Sequence, residues 1–91
     1  MITQHFLVTG QVQGVGFRWS ASRLAQQLGI TGTVQNLPTG QVAIVASGEQ
    51  QQLADFAHEI KHGVTPWAIV HELKVTNART QRFANFRIIT R

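Results

Sequence analysis

The sequence contains no cysteine and no tyrosine, and it has only two prolines. The absence of cysteine excludes disulfides, a thiolate nucleophile and cysteine-ligated metal sites, so packing alone must hold the fold together. No run of 18 apolar residues occurs, and the first residues, MITQHFLVTG, lack the basic and apolar segments of a secretory signal. We therefore expect a cytoplasmic protein that does not enter a membrane.

Charged residues are also scarce, and most of them are basic. They make up 13% of the chain, and eight Lys and Arg against four Asp and Glu give a net charge of +4. No two basic residues are adjacent, so this balance favours an anionic partner without indicating nucleic acid. With 91 residues, 43% of them hydrophobic, we expect a single domain over residues 1–91.

The first half of the chain predicts a strand, a helix and a hairpin. Alternating Phe6 and Val8 indicate a strand over residues 5–10. Apolar residues spaced by three and four positions predict a helix over residues 17–28, which ends at Gly29. Two further strands are predicted over residues 30–35 and 41–46, because NLPTG between them has turn chemistry.

The second half predicts another helix and one or two strands. Ser47 and Gln50 resemble a capping box, and the helical pattern that follows ends at His62. Beyond it, Ile69, Leu73 and Val75 suit a strand, and a short last strand contains Phe86 and Ile88. The order β-α-β-β-α-β, with room for an extra edge strand, indicates an α+β, ferredoxin-like α/β sandwich. In it two helices cover one face of a mostly antiparallel sheet.

This topology predicts where a functional cleft lies. If the second hairpin strand inserts between the first two strands, those two run parallel and are joined by a right-handed crossover through the first helix. Both then end at the same edge of the sheet. The segment from Gln11 to Arg18 follows one strand and Asn36 ends the other, so we expect them to face each other across a small cleft.

The most informative stretch is GQVQGVGFRWS, in which three glycines precede Phe17 and Arg18 at the start of a helix. Glycine permits positive φ, so successive N–H groups can point into one concavity, and the helix N-terminus adds further donors. The Arg18 guanidinium can form two parallel charge-assisted bonds to a phosphate. This pattern indicates a phosphate cradle, although spacing alone leaves open a plain turn with a surface arginine.

Two other glycine-loop motifs do not fit. A dinucleotide fingerprint requires glycine where Trp19 stands, and no acidic residue follows about twenty positions later. A Walker loop requires Lys and then Ser or Thr after its last glycine, where Phe17 and Arg18 stand.

The segment GQVQGVGFR, followed eighteen residues after its arginine by the asparagine of GTVQNLPTGQV, resembles the acylphosphatase family. The resemblance extends over nearly the whole chain. It implies a ferredoxin-like enzyme that hydrolyses the carboxyl-phosphate bond of small acyl phosphates without metal or cofactor. It also implies a phosphate-binding role for Arg18 and a water-orienting role for Asn36, with a cradle formed by Gln13, Gly14, Val15, Gly16 and Phe17. We expect inorganic phosphate or sulfate to bind this site, and we expect a monomer.

The remaining polar residues offer no strong general base near this site. The four acids, Glu49, Asp55, Glu59 and Glu72, fall on the second helix or the strand after it. We therefore expect the proton of the attacking water to pass to the substrate's own phosphate. His5 is interpreted as an edge or surface residue, and Ser20 and Ser22 have no base beside them to make them nucleophiles.

Two features allow more than one interpretation. The segment HEIKH, residues 58–62, matches the zinc motif H-E-x-x-H, but it ends a helix whose Ile60 should face the core. We interpret the match as coincidental, with adventitious metal capture left open. Trp19 is expected to pack under a loop and Trp67 to close a core edge, with a substrate role for either left open.

Two alternative functions remain. Ferredoxin-like sheets with a basic balance often bind RNA through strand aromatics, but Phe6 is the sole aromatic on the two strands concerned. A non-catalytic acylphosphatase-like accessory domain is the other alternative. Such domains usually have proline after the arginine, where this chain has Trp19.

Overall fold

The structure is a computed structural model, and it describes residues 1–90. Within this range the chain forms five strands and two helices. In chain order they are β1 (Ile2–Gln11), α1 (Phe17–Leu28), β2 (Thr31–Asn36), β3 (Val42–Gly48), α2 (Gln50–Lys61), β4 (Ile69–Ala78) and β5 (Phe86–Ile89). Neither helix is long and apolar enough to cross a membrane.

The strands form one sheet in the order β4-β1-β3-β2-β5. Strand β3 lies between β1 and β2 and is antiparallel to both, so β1 and β2 run parallel as predicted. The extra edge strand is β5, which pairs parallel with β2. This arrangement confirms the ferredoxin-like α+β fold. It also brings the carboxyl ends of β1, β2 and β5 to the same edge of the sheet.

The core lies between the sheet and the two helices, which cover the same face. The predicted strand residues Phe6, Val8, Val42, Ile44 and Ala46 are buried, as are the helical residues Phe17, Ala21, Ala25, Leu53, Phe56 and Ile60. The Phe56 ring packs edge-on against Phe6, with centroids 5.5 Å apart, and also contacts Phe86. Phe17, the first residue of α1, is buried in this core. Its packing fixes the start of the helix, and with it the backbone position of Arg18.

Helix α1 has the predicted bounds because glycine flanks both ends. Gly29 adopts φ 76°, and its N–H donates to the carbonyls of Ala25 and Gln26. This left-handed conformation satisfies carbonyls that the helix end leaves free. At the other end Gly16 is the N-cap, with φ 75° and no side-chain capping bond. The amides of the first turn therefore have no cap within the helix itself.

The predicted capping box at Ser47 is wrong. Ser47 lies in β3, where pairing with β1 extends to Gly48 opposite Ile2, and its side chain is buried. Helix α2 begins later, with Glu49 as N-cap and Gln52 as the second member of the capping box. The side-chain Oε1 of Gln52 accepts a hydrogen bond from the Glu49 backbone N–H at 2.8 Å. The strand extends past the local capping signal because its pairing partner supplies the competing hydrogen bonds.

A polar cluster on the other face of the sheet fixes the chain before β5. The Thr3 and Ser47 hydroxyl oxygens lie 2.6 Å apart. The Ser47 hydroxyl donates to the Gln81 carbonyl at 2.8 Å, and the Gln81 N–H donates to the Thr3 hydroxyl at 2.9 Å. Both hydroxyls are buried and fully partnered, which makes these bonds costly to lose. They position the connection that leads to β5.

Candidate active site

A cavity of about 180 Å³ lies at the sheet edge where β1, β2 and β5 end. Its lining includes Gly14, Gly16, Arg18, Trp19, Asn36 and Ile88. The glycine loop and Arg18 come from the β1-α1 connection, and Asn36 is the last residue of β2. The structure thus brings Arg18 and Asn36 to one cleft, as the topology predicted.

The loop requires glycine for its backbone conformation and not for space. Gly14 adopts φ 76° and Gly16 φ 75°, both in the left-handed region. A Cβ at either position would meet no atom within 4 Å. An L side chain in this conformation costs about 1–2 kcal/mol. The two glycines therefore hold a bend that turns the backbone toward the cavity.

The backbone N–H groups of this loop are available for an anion. Within residues 1–90, the amides of Gly14, Val15, Gly16 and Phe17 donate to no backbone or side-chain acceptor. They precede and open α1, so they lie at the positive end of the helix dipole. Consecutive unpaired N–H groups at a helix N-terminus form a suitable site for phosphate.

Gln13 joins the loop to the hairpin. Its side-chain amide donates to the carbonyls of Leu37 and Gln41, both at 2.9 Å. This pair of bonds fixes the loop next to the turn that follows Asn36. The Gln13 side chain does not line the cavity, and Val15 packs partly buried against the core. Of the predicted phosphate-binding residues, these two can therefore contribute only backbone amides.

Arg18 is held by the last strand. The side chain is partly buried in the first turn of α1, and its Nη1 donates to the Ile89 carbonyl at 3.4 Å. Sequence reasoning did not assign β5 a part in the site. The parallel pairing of β5 with β2 brings the end of β5 to the same edge, and no local pattern in the sequence indicated this pairing.

Asn36 carries an unusual feature. Its Oδ1 is buried, and it is the one buried side-chain polar atom without a hydrogen-bond partner among the described residues. An unpartnered buried acceptor costs about 1–3 kcal/mol, so buried polar atoms normally have a hydrogen-bond partner from the protein, a water or a ligand. Asn36 is also one of the residues that line the cavity containing Arg18.

Comparison with known proteins shows the family. The acylphosphatase family model matches residues 4–88. The chain belongs to the acylphosphatase family. It is 44% identical over 93 residues to the acylphosphatase of Lactobacillus johnsonii, covering 98% of this chain and 99% of that one.

Solved structures agree with this assignment. The crystal structure of acylphosphatase from Bacillus subtilis matches with a TM-score of 0.94 and 33% identity, covering 99% of this chain and 100% of that one. Full-length HypF in the phosphate- and nucleotide-bound form matches with a TM-score of 0.91 and 28% identity. The match covers 98% of this chain but 12% of HypF. These comparisons confirm the predicted fold and the predicted enzyme class.

Within residues 1–90, no carboxylate side chain lines the cavity that Arg18 and Asn36 share. Asp55 and Glu59 lie on α2 with Glu49 at its N-cap, and Glu72 lies on β4, as predicted. His5 is exposed on β1, which agrees with a surface residue. The described residues thus place no acidic side chain where it would repel a bound phosphate.

The HEIKH segment lies apart from this cleft. His58 and His62 are exposed, with ring centroids 4.5 Å apart, and α2 ends between them at Lys61. Within residues 1–90 no group of three or more His, Cys, Asp or Glu side chains could hold a metal ion.

Both tryptophan predictions were wrong about packing. Trp19 is 58% exposed and Trp67 is 73% exposed, so neither is covered by a loop or closes the core. Trp19 instead lines the cavity that Arg18 and Asn36 also line. The guanidinium carbon of Arg23 lies 4.9 Å from the centre of the Trp19 ring. Sequence reasoning had no local signal for these exposures, because they depend on which elements pack against each residue.

Proposed function

We propose that this acylphosphatase, acting as a single domain over residues 1–91, hydrolyses small acyl phosphates by in-line attack of water on the phosphoryl group. Arg18 and the amides of the Gln13–Phe17 loop hold the phosphate, and Asn36 orients the water. The observation that carries this proposal is the single cavity that the glycine loop, Arg18 and Asn36 line together.

The phosphate is held by directional donors. The loop supplies consecutive N–H groups without acceptors in residues 1–90, and the guanidinium adds a full positive charge. In phosphoryl transfer, negative charge is spread over the equatorial oxygens, and catalysis consists mainly of positioning and charge stabilisation. Amides and Arg18 together neutralise that charge without requiring a proton-transfer group on the protein.

Asn36 suits the nucleophilic water because its amide is neutral. The side-chain amide, a neutral acceptor and donor, forms a hydrogen bond with the water and so fixes the water's position relative to phosphorus. A carboxylate could accept the same bond but would repel the phosphate in a cleft that is partly shielded from solvent. Neutrality therefore favours asparagine over aspartate at this position.

The reaction balances without a further reactant. The water oxygen forms a bond to phosphorus while the bond from phosphorus to the acyl oxygen breaks. The bonding electrons leave with the acyl oxygen as a carboxylate, and the water proton passes to a phosphate oxygen. The products are a carboxylate and inorganic phosphate, and inorganic phosphate or sulfate is the expected ligand of the cradle. The mixed anhydride is already activated, so orientation can suffice.

The likeness to part of HypF keeps a non-catalytic phosphate-binding module as the second candidate. Such a module would bind phosphate through the same loop without turnover. The RNA-binding alternative finds less support, because Phe6 is buried in the core and is not displayed on the open face of the sheet. The cytoplasmic location and the monomeric state stay predictions from sequence.

Benzoyl phosphate hydrolysis in the presence of a chelator tests the proposal. We expect the purified protein to turn over this substrate at the same rate with and without EDTA, and inorganic phosphate to inhibit competitively, because amides and one guanidinium form the cradle. A matched sample with zinc added back controls for metal effects. Turnover that stops in EDTA and returns with zinc would contradict the proposal, and phosphate binding without turnover would favour the non-catalytic module.

A further inference from the structure

A second cavity of about 240 Å³ lies between the two helices. We call it the interhelical groove. It shares Trp19 with the cavity that Arg18 and Asn36 line, which we call the phosphate cleft. Helix α1 contributes Ser20, Arg23, Leu24 and Gln27, and the other side is formed by Glu59 and Val64. Trp19 lines both this groove and the phosphate cleft. Trp19 is therefore the residue past which a ligand bound at Arg18 would extend to reach the groove.

The geometry of in-line displacement also limits where the acyl group lies. In-line displacement places the attacking water and the leaving group on opposite sides of phosphorus. If Asn36, at the end of β2, holds the water, the carboxylate leaves on the side of phosphorus that faces away from Asn36. Trp19, in the first turn of α1, forms the lining of the cleft on the helix side.

The Trp19 ring is already positioned for stacking. It is 58% exposed, and Arg23, one turn later on α1, stands 4.9 Å from its centre. A cation over an indole face restricts the ring, so less freedom is lost when a ligand packs against it. Leu24 and Val64 are partly buried and give the groove an apolar part beside its polar side chains.

We propose that the interhelical groove binds the acyl group of the substrate and that Trp19 makes the enzyme prefer aromatic acyl groups. This inference rests on the proposed function of the adjoining cleft. A planar aromatic ring can stack on the exposed indole, whereas an acetyl group offers a single methyl and no ring. Trp19 is thus a specificity-determining residue, while Arg18 and Asn36 act on the phosphoryl group that all substrates share.

The test is the ratio of kcat/KM for benzoyl phosphate to kcat/KM for acetyl phosphate. Loss of one aromatic contact corresponds to a factor of about five, so we expect Trp19→Ala to lower the ratio about fivefold. Trp19→Phe retains a ring and should retain most of the ratio. The matched control is Trp67→Ala, because Trp67 is 73% exposed and lines neither cavity. Circular dichroism checks that each variant is folded.

Each result decides a specific point. A fall in the ratio for Trp19→Ala, with rescue by Trp19→Phe and no change in Trp67→Ala, supports the acyl site. An unchanged ratio in Trp19→Ala, or an equal fall in Trp67→Ala, overturns it while leaving the proposed function intact. Failure of the wild-type protein to hydrolyse either substrate overturns the proposed function, and this inference with it.

Discussion

Replacing Asn36 by alanine should separate catalysis from stability. If the side chain orients the nucleophilic water, its loss acts on the chemical step and not on the bound phosphate. Removing one well-placed polar group from an active site typically lowers kcat by roughly 10²-fold or more. We expect a loss of this size, with the dissociation constant of inorganic phosphate changed by no more than about twofold.

The structure predicts that this loss of activity comes without a loss of stability. Asn36 Oδ1 accepts no hydrogen bond from a protein group within residues 1–90, so alanine breaks no internal hydrogen bond of this oxygen. We expect the free energy of unfolding to change by less than about 1 kcal/mol. In a chain of this size that change corresponds to a Tm shift of less than about 4–8 °C.

Three measurements on one set of proteins check this reasoning: thermal unfolding, phosphate calorimetry and single-turnover kinetics with benzoyl phosphate. Asn36→Asp should be as inactive as Asn36→Ala, because its carboxylate faces the phosphate. The matched control is Asn77→Ala, an exposed strand asparagine whose side chain contacts Gln4. Normal turnover in Asn36→Ala, or phosphate binding lost as completely as in an Arg18 variant, would refute the water-orienting role. A Tm well below that of the wild type would show that the side chain is structural.

Substitutions at Arg18 and Gly16 test the cradle. Arg18→Gln should abolish phosphate affinity and turnover together, and Arg18→Lys should recover little, because a point charge on a flexible stem lacks bidentate geometry; wild-type kinetics in the lysine variant would show that charge alone suffices. Gly16→Ala should lower the free energy of unfolding by about 1–2 kcal/mol and weaken phosphate binding. Gly40→Ala, at φ 92° in the hairpin turn, should match the stability loss while keeping the phosphate affinity, and equal phosphate affinities in the two variants would contradict a role for the loop conformation.

Much of the fold follows from local patterns. Helix α1 could be bounded at Phe17 and Leu28 because its apolar spacing and Gly29 both act within a few residues. The hairpin followed from NLPTG in the same way, and its turn forms a 2.8 Å bond from the Leu37 N–H to the Gln41 carbonyl. The start of α2 could not be predicted from neighbouring residues. Ser47 pairs with Thr3 of β1, more than forty residues earlier in the chain, and so belongs to β3.

By itself, the sequence predicted the order of elements, the glycine-rich bend before α1 and the meeting of Arg18 with Asn36 at one cleft. These depend on backbone preferences of glycine and on the fixed hand of the crossover, which act whatever the rest of the chain does. The tertiary structure alone decided that β5 supports Arg18, that the Asn36 Oδ1 is buried without a partner, and that Trp19 is exposed between two cavities. Burial and partnering are properties of contacts between distant segments, so no local pattern encodes them.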